Sequence, residues 1–190
     1  HSFPTRRSSD LSKPNEDTPE EKEEWLEAEN NQEDENAGFR KVPFSRELYI
    51  EREDFKEDAD KKFFRLTLGK EVRLKNAYII QGESVVKDEN GNITEIHVTY
   101  DADSKSGSGT EASKRKVKGT IHWVSIPHAV EAEVRIYDRL FTHENPDGNK
   151  EVDFKEYINP DSLKVITGYV EPSLKTAVSG DKFQFQRLGY

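Results

Sequence analysis

The feature that most constrains this chain is a change of period at Val42. From there onward, apolar and polar residues alternate in short runs separated by turn signals. A period of two sends successive side chains to opposite faces of a strand, so each run has one face to bury and one to expose. Such runs lie at 46–52, 71–80, 83–87, 92–100, 115–125, 131–138, 163–170 and 183–187. Many short strands at close spacing predict a mainly β fold of barrels or sandwiches. Glu89-Asn90-Gly91-Asn92 predicts a hairpin with a type I′ turn, because Asn-Gly tolerates left-handed backbone. Ser106-Gly107-Ser108-Gly109 and Asn145-Pro146-Asp147-Gly148 predict loops, and short helices are expected at 53–60 and 151–157.

The residues before Val42 read differently. HSFPTRRSSDL (1–11) shares neither composition nor pattern with the rest and is set aside, as an added leader or a native disordered arm. Thr18 before Pro19-Glu20-Glu21 is an N-cap signal with proline at the first helical position, which predicts a short helix over 19–29. The Asn/Asp/Glu run after it reads as a linker. Charge divides along the same line: residues 1–41 hold 12 of the 38 acidic and 6 of the 29 basic side chains. The remaining 149 residues carry 23 basic against 26 acidic groups. The overall charge of −9 is therefore mostly a property of the acidic N-terminal segment.

Catalytic chemistry finds little to stand on. The chain has no cysteine, so it has neither a disulfide framework nor a thiolate nucleophile. His1, His97, His122, His128 and His143 show no metal-ligand spacing, and no phosphate-binding loop, dinucleotide fingerprint or nucleophile elbow occurs. Asp101 and Asp103 form an acidic pair that reads as a turn cap. No apolar run is long enough for a membrane span or a secretory signal, so the chain reads as soluble and intracellular.

Three segments carry cations on alternating positions. In Lys114-Arg115-Lys116-Val117-Lys118, a strand would turn three lysines one way and Arg115 the other. Such a row suits phosphate, or simply protects a strand edge. Arg46 shares its parity with the core positions Leu48 and Ile50, so it belongs at a strand end. There it can fork onto a base edge or phosphate, or pair with Glu47 or Glu51. Asn76, in RLKNAY, is unusual inside a strand. Its amide can read a base edge, or it can cap a bulge or turn.

VPFSRELYIEREDF, LGKEVRLKNAYII, TYDAD followed by KVKGTIHWVS, VRIYDRLF, INPDSL and GYVEPSLK through FQFQRLGY occur in this order. Over about residues 33–190 the chain resembles the anticodon-binding region of glutaminyl-tRNA synthetase, bacterial type. The resemblance implies two β-barrels similar to that of a ribosomal-RNA-binding ribosomal protein: a proximal one from 42–68 plus 160–190 and a distal one from 69–159; the acidic, partly helical segment read from the residues at 1–41 precedes them. It implies tRNA anticodon contacts from Arg46, Asn76, Lys105, Arg115 and Lys116. The loop DSKSGSGTEASKR departs from the family pattern, which weakens the carry-over to Lys105 and Arg115.

The family's HIGH-like and KMSKS-like motifs are absent from these residues, and the chain stops at Tyr190, short of a final family segment. The resemblance thus implies a fragment of glutamine–tRNA ligase, a class I synthetase, that is inactive alone. ATP and Mg would belong to the parent enzyme's catalytic domain, with no cofactor in this chain. The expected partner is tRNA carrying a glutamine anticodon, without DNA or membrane, for a cytoplasmic monomer. Rival readings are a glutamyl-type anticodon domain, a ribosomal-RNA binder and a protein-interaction barrel.

Overall fold

The structure is a computed structural model that describes residues 2–7, 24–31, 33–183 and 185. The fold is mainly β, as expected. β1 (Ser2–Arg7) comes from the segment set aside on sequence. β2 (Glu24–Glu29) and β3 (Phe39–Phe44) form an antiparallel ribbon in the register Glu24↔Phe44 to Glu29↔Phe39. The helix predicted over 19–29 is therefore not found in its described part. Leu26 and Ala28 are buried while Trp25, Glu27 and Glu29 are exposed, a period of two. Burial against β3 outweighs the local helix preference there. The capping signal itself, at 18–21, lies outside the described residues.

β4 (Glu47–Glu51) buries Leu48 and Ile50, as the alternation required. The run expected at 71–80 is two strands, β5 (Glu71–Leu74) and β6 (Ile79–Lys87), closed into a hairpin. Asn76 breaks it: its φ of 58° is left-handed, and Ala77 N donates to Leu74 O at 3.0 Å across the turn. Asparagine is among the few non-glycine residues that visit this region readily. Asn76 shapes this turn through its backbone.

β7 (Ile93–Asp101) pairs with β6 as predicted, but the connection is not type I′. Only Gly91 is left-handed (φ 79°), Asn90 is not, and Gly91 N donates to Asp88 O at 2.9 Å. The result is a three-residue loop ending in a left-handed glycine. The Asp88 carboxylate takes the backbone N–H of Asn90 and Asn92 and the Asn92 amide, which holds its pKa down.

The run expected at 115–125 shortens to β8 (Thr120–Ile121) and β9 (Trp123–Ser125). A one-turn helix α1 (Glu111–Lys114) precedes them, and 115–119 form no strand. The lysine row of a strand is therefore not formed. Gly119 passes so close to the Phe64 carbonyl that any Cβ would collide with it. The main sheet has the order β8-β5-β6-β7-β1-β4-β9, with β1 joining β5–β8 to the β4–β9 pair. It draws strands from both sides of the barrel boundary expected at 68/69. Leu48, Ile50, Val72, Leu74, Ile80, Ile96, Val98, Ile121 and Trp123 form its core with Leu26, Val42 and Phe44 of the ribbon.

Two compact units result: residues 1–130 with 169–190, and residues 131–168. The second is built on the pair β10 (Val130–Tyr137) and β11 (Leu163–Val170), both close to their predicted bounds. Between them Phe141 bridges to Ile158, and the helix expected at 151–157 is a single 3-10 turn, Phe154–Tyr157. The helix expected at 53–60 is likewise only the turn Arg52–Asp54. Most of the run at 183–187 lies outside the described residues. No helix is long and apolar enough to cross a membrane among the described residues.

Candidate nucleic-acid interface

The side of the β2–β3 ribbon that carries Trp25 follows from its register. Trp25 stands opposite Pro43, Glu27 opposite Lys41 and Glu29 opposite Phe39. This face forms one side of an open groove of roughly 660 Å³. The turn at Asn76 and the loop Lys105–Ser108 form the other.

Arg73 sets the position of that loop. Strand alternation turns it away from the core that Val72 and Leu74 enter. Its Nη1 donates to Ser104 O (3.0 Å) and Ser106 Oγ (3.1 Å). Its Nη2 donates to Ser113 O (2.8 Å) and Arg115 O (3.4 Å). One guanidinium thereby gathers 104–115 over β5. Burial, and then the charge of Arg115, lower the Arg73 pKa. Ser104 adds a second tie: its hydroxyl donates to Asp101 O (2.6 Å) and accepts from Ile79 N (2.7 Å). Asp101 takes the N–H of Asp103 at 3.0 Å, the turn cap expected of this pair.

The predicted residues separate by what they touch. Asn76 and Lys105 both line the groove. Lys105 Nζ is ion-paired to Glu24 Oε1 at 2.6 Å, and Tyr78 O–H donates to the other oxygen of that carboxylate at 2.6 Å. Arg115 is occupied too, between Glu71 (2.9 Å) and Asp101 (3.1 Å). Lys116, next to it, is exposed and has no hydrogen bond or ion pair with the described residues. Arg46 is in the same state, in the bend between β3 and β4; the expected alternatives, pairs with Glu47 or Glu51, are not made.

A polar chain runs from the residue before Arg46 to the groove. Ser45 Oγ donates to Glu47 O at 2.7 Å, so the 2.7 Å bond to Ser125 Oγ is donated by Ser125. The 2.8 Å bond between Ser125 Oγ and His128 then comes from Nδ1–H. The His128 ring in turn meets Trp25 edge-on at 5.7 Å. Trp25, which the helix reading hid, is thus a groove wall tied to the Arg46 end.

A second charged cluster escaped sequence reasoning. Glu171 is only 8% exposed, and Arg40 grips it through Nε (2.6 Å) and Nη2 (2.9 Å) while His122 Nε2 lies at 3.2 Å. Burial pushes the Glu171 carboxyl up, but the bonds from Arg40 and His122 outweigh it and hold the pKa at about 2. The bond to Glu171 raises Arg40 in turn, and Arg40 Nη1 also donates to Glu29 O at 2.7 Å. The only local signal was a glutamate set between Val170 and Pro172. Among the described residues no cluster of histidine and carboxylate suits a metal ion.

Comparison with known proteins covers nearly the whole chain. Residues 13–101 and 120–190 match two family models, each described as an anticodon-binding domain of class I tRNA synthetases (E and Q). The chain is 56% identical over 173 residues to the glutamine–tRNA ligase of Rhodopirellula baltica. It is 54% identical over 168 residues to that of Proteus mirabilis and 53% over 173 to that of Clostridioides difficile. These matches cover 88–90% of the chain, which spans only 28–31% of the length of these relatives.

Proposed function

The chain belongs to the anticodon-binding domains of the class I glutamate and glutamine tRNA synthetases, and on that premise we propose that it recognises the anticodon loop of tRNA carrying a glutamine anticodon. The longer protein would attach glutamine to that tRNA with ATP and Mg at a catalytic domain, as a cytoplasmic monomer. One observation carries the reading beyond family membership. Arg46, exposed and without a partner among the described residues, is tied through Ser45, Ser125, His128 and Trp25 to the groove that holds Asn76 and Lys105.

RNA sequence is accessible in unpaired loops, where bases can be splayed apart and read along their edges. In this role Arg46 reads a base edge bidentately and the Asn76 amide donates and accepts at another. Lys105 exchanges Glu24 for the RNA. Lys116, exposed and without a partner among the described residues, meets phosphate and adds affinity without sequence information. Arg115 contributes to the loop's shape and local field, since its guanidinium is already engaged by Glu71 and Asp101.

Titration of the chain with tRNA bearing a glutamine anticodon, against the same tRNA with a scrambled anticodon loop and one with a glutamate anticodon, tests the proposal. Tighter binding of the glutamine form is expected. Equal affinity for the scrambled loop would overturn specific recognition, and no binding at low salt would overturn RNA binding altogether.

A further inference from the structure

We propose that Trp25 and Phe39 each offer a stacking surface for an unpaired nucleobase, two separate contacts supplied by the β2–β3 ribbon; this rests on the anticodon-loop reading above. Both rings line the same groove, and both are unusually open for large apolar side chains, at 48% for Trp25 and 66% for Phe39. The cross-strand register places them on one face of the ribbon, toward opposite ends. Neither helps form the core, whose ribbon contribution comes from Leu26, Ala28, Val42 and Phe44 on the opposite face.

The charges beside the rings decide the occupant. Glu27 and Glu29 line the groove between Trp25 and Phe39, with Lys41 and Lys105. Two carboxylates in an open groove repel a phosphate, but they accept hydrogen bonds from the exocyclic amino group of a base. An aliphatic ligand would gain nothing from this polar lining. A planar heterocycle with donors at its edge uses one of the rings together with a carboxylate beside it, while Lys41 and Lys105 line the same groove to meet flanking phosphates. The Trp25 ring is also held in orientation by the edge-on contact with His128 at 5.7 Å, which lowers the entropy lost on stacking.

The chain's two tryptophans make the test direct, because Trp123 is buried at 3% exposure and Trp25 is not. Titration with an RNA hairpin carrying the glutamine anticodon loop should quench the Trp25 emission. The quench should vanish in W25F, which keeps a stacking ring and binds within about twofold of the parent. W25A and F39A should each weaken binding by about tenfold. Their dependence on salt should match the parent, since no phosphate contact is removed. F39A alters an exposed ring, so its result does not depend on whether W25A folds. Hairpin binding by the parent with no quench, or with F39A and W25A at parental affinity, would overturn the stacking surfaces and leave the anticodon reading standing. Failure of the parent chain to bind the hairpin at low salt would overturn both.

Discussion

Arg40 and Arg46 flank the same stretch of strand and are used in opposite ways. Arg40 is turned into a half-buried site, where its two bonds to Glu171 and one to Glu29 O engage all three guanidinium nitrogens. Arg46 stands in a bend with no partner among the described residues. The same contrast recurs between Arg115, held by Glu71 and Asp101, and Lys116 beside it. Arg40 and Arg115 are structural ties because carboxylates face them, and Arg46 and Lys116 are candidate contacts because none among the described residues does. Residue type and strand parity do not separate the two uses.

Removing one tie should have the largest effect. Arg40→Ala leaves Glu171 buried without its main partner and should cost about 3–5 kcal/mol of stability, seen as a lower denaturant midpoint. A loss below about 1 kcal/mol would mean that Glu171 is solvated rather than buried, and the contrast with Arg46 would collapse.

Acid should probe the same cluster. Glu171 has a pKa lowered from 4.5 to about 2, so its contribution is fully present above 4.5 and is lost as pH falls toward 2. The shift corresponds to about 3 kcal/mol, since each unit is worth about 1.4 kcal/mol. Thermal unfolding followed from pH 6 to pH 2.5 should show a loss attributable to this site, reduced in Glu171→Gln. An identical acid profile in that variant would remove Glu171 as the cause.

Arg46→Ala should show the reverse behaviour, with stability within about 0.5 kcal/mol of the parent. Cognate tRNA should bind about tenfold more weakly and the discrimination against a scrambled loop should shrink, as loss of a base contact requires. The smallest effect belongs to Lys116→Ala. It should weaken cognate and non-cognate tRNA alike and reduce the slope of log affinity against log salt by about one. If Lys116→Ala changed discrimination and Arg46→Ala changed only the salt slope, their roles would be exchanged.

Much of the fold was legible because period two survives in the primary structure wherever a strand has one buried face. β4, β7, β10 and β11 lie where the alternation put them. β2 was not legible, because a strong capping signal at Thr18-Pro19 suggested a helix and burial against β3 overrode it. The 115–119 stretch was misread because its backbone is drawn into the loop that Arg73 gathers, and Arg73 lies 42 positions from Arg115. For the candidate site, Asn76 was narrowed to two roles by its chemistry alone. Its φ of 58° then showed the turn, which leaves the amide free to face the groove.

By itself the sequence determined a mainly β chain, the position of its principal hairpin, and the family to which its ordered segments belong. These depend on local alternation, on turn chemistry and on the order of motifs, all written along the chain. Only the tertiary structure decided which cations are paired among the described residues. Lys105 meets its carboxylate 81 positions away and Arg40 meets Glu171 at 131 positions, and no local pattern specifies partners at such separations. Charge pairing depends on proximity in space, which folding sets through the burial of side chains remote from the charges themselves.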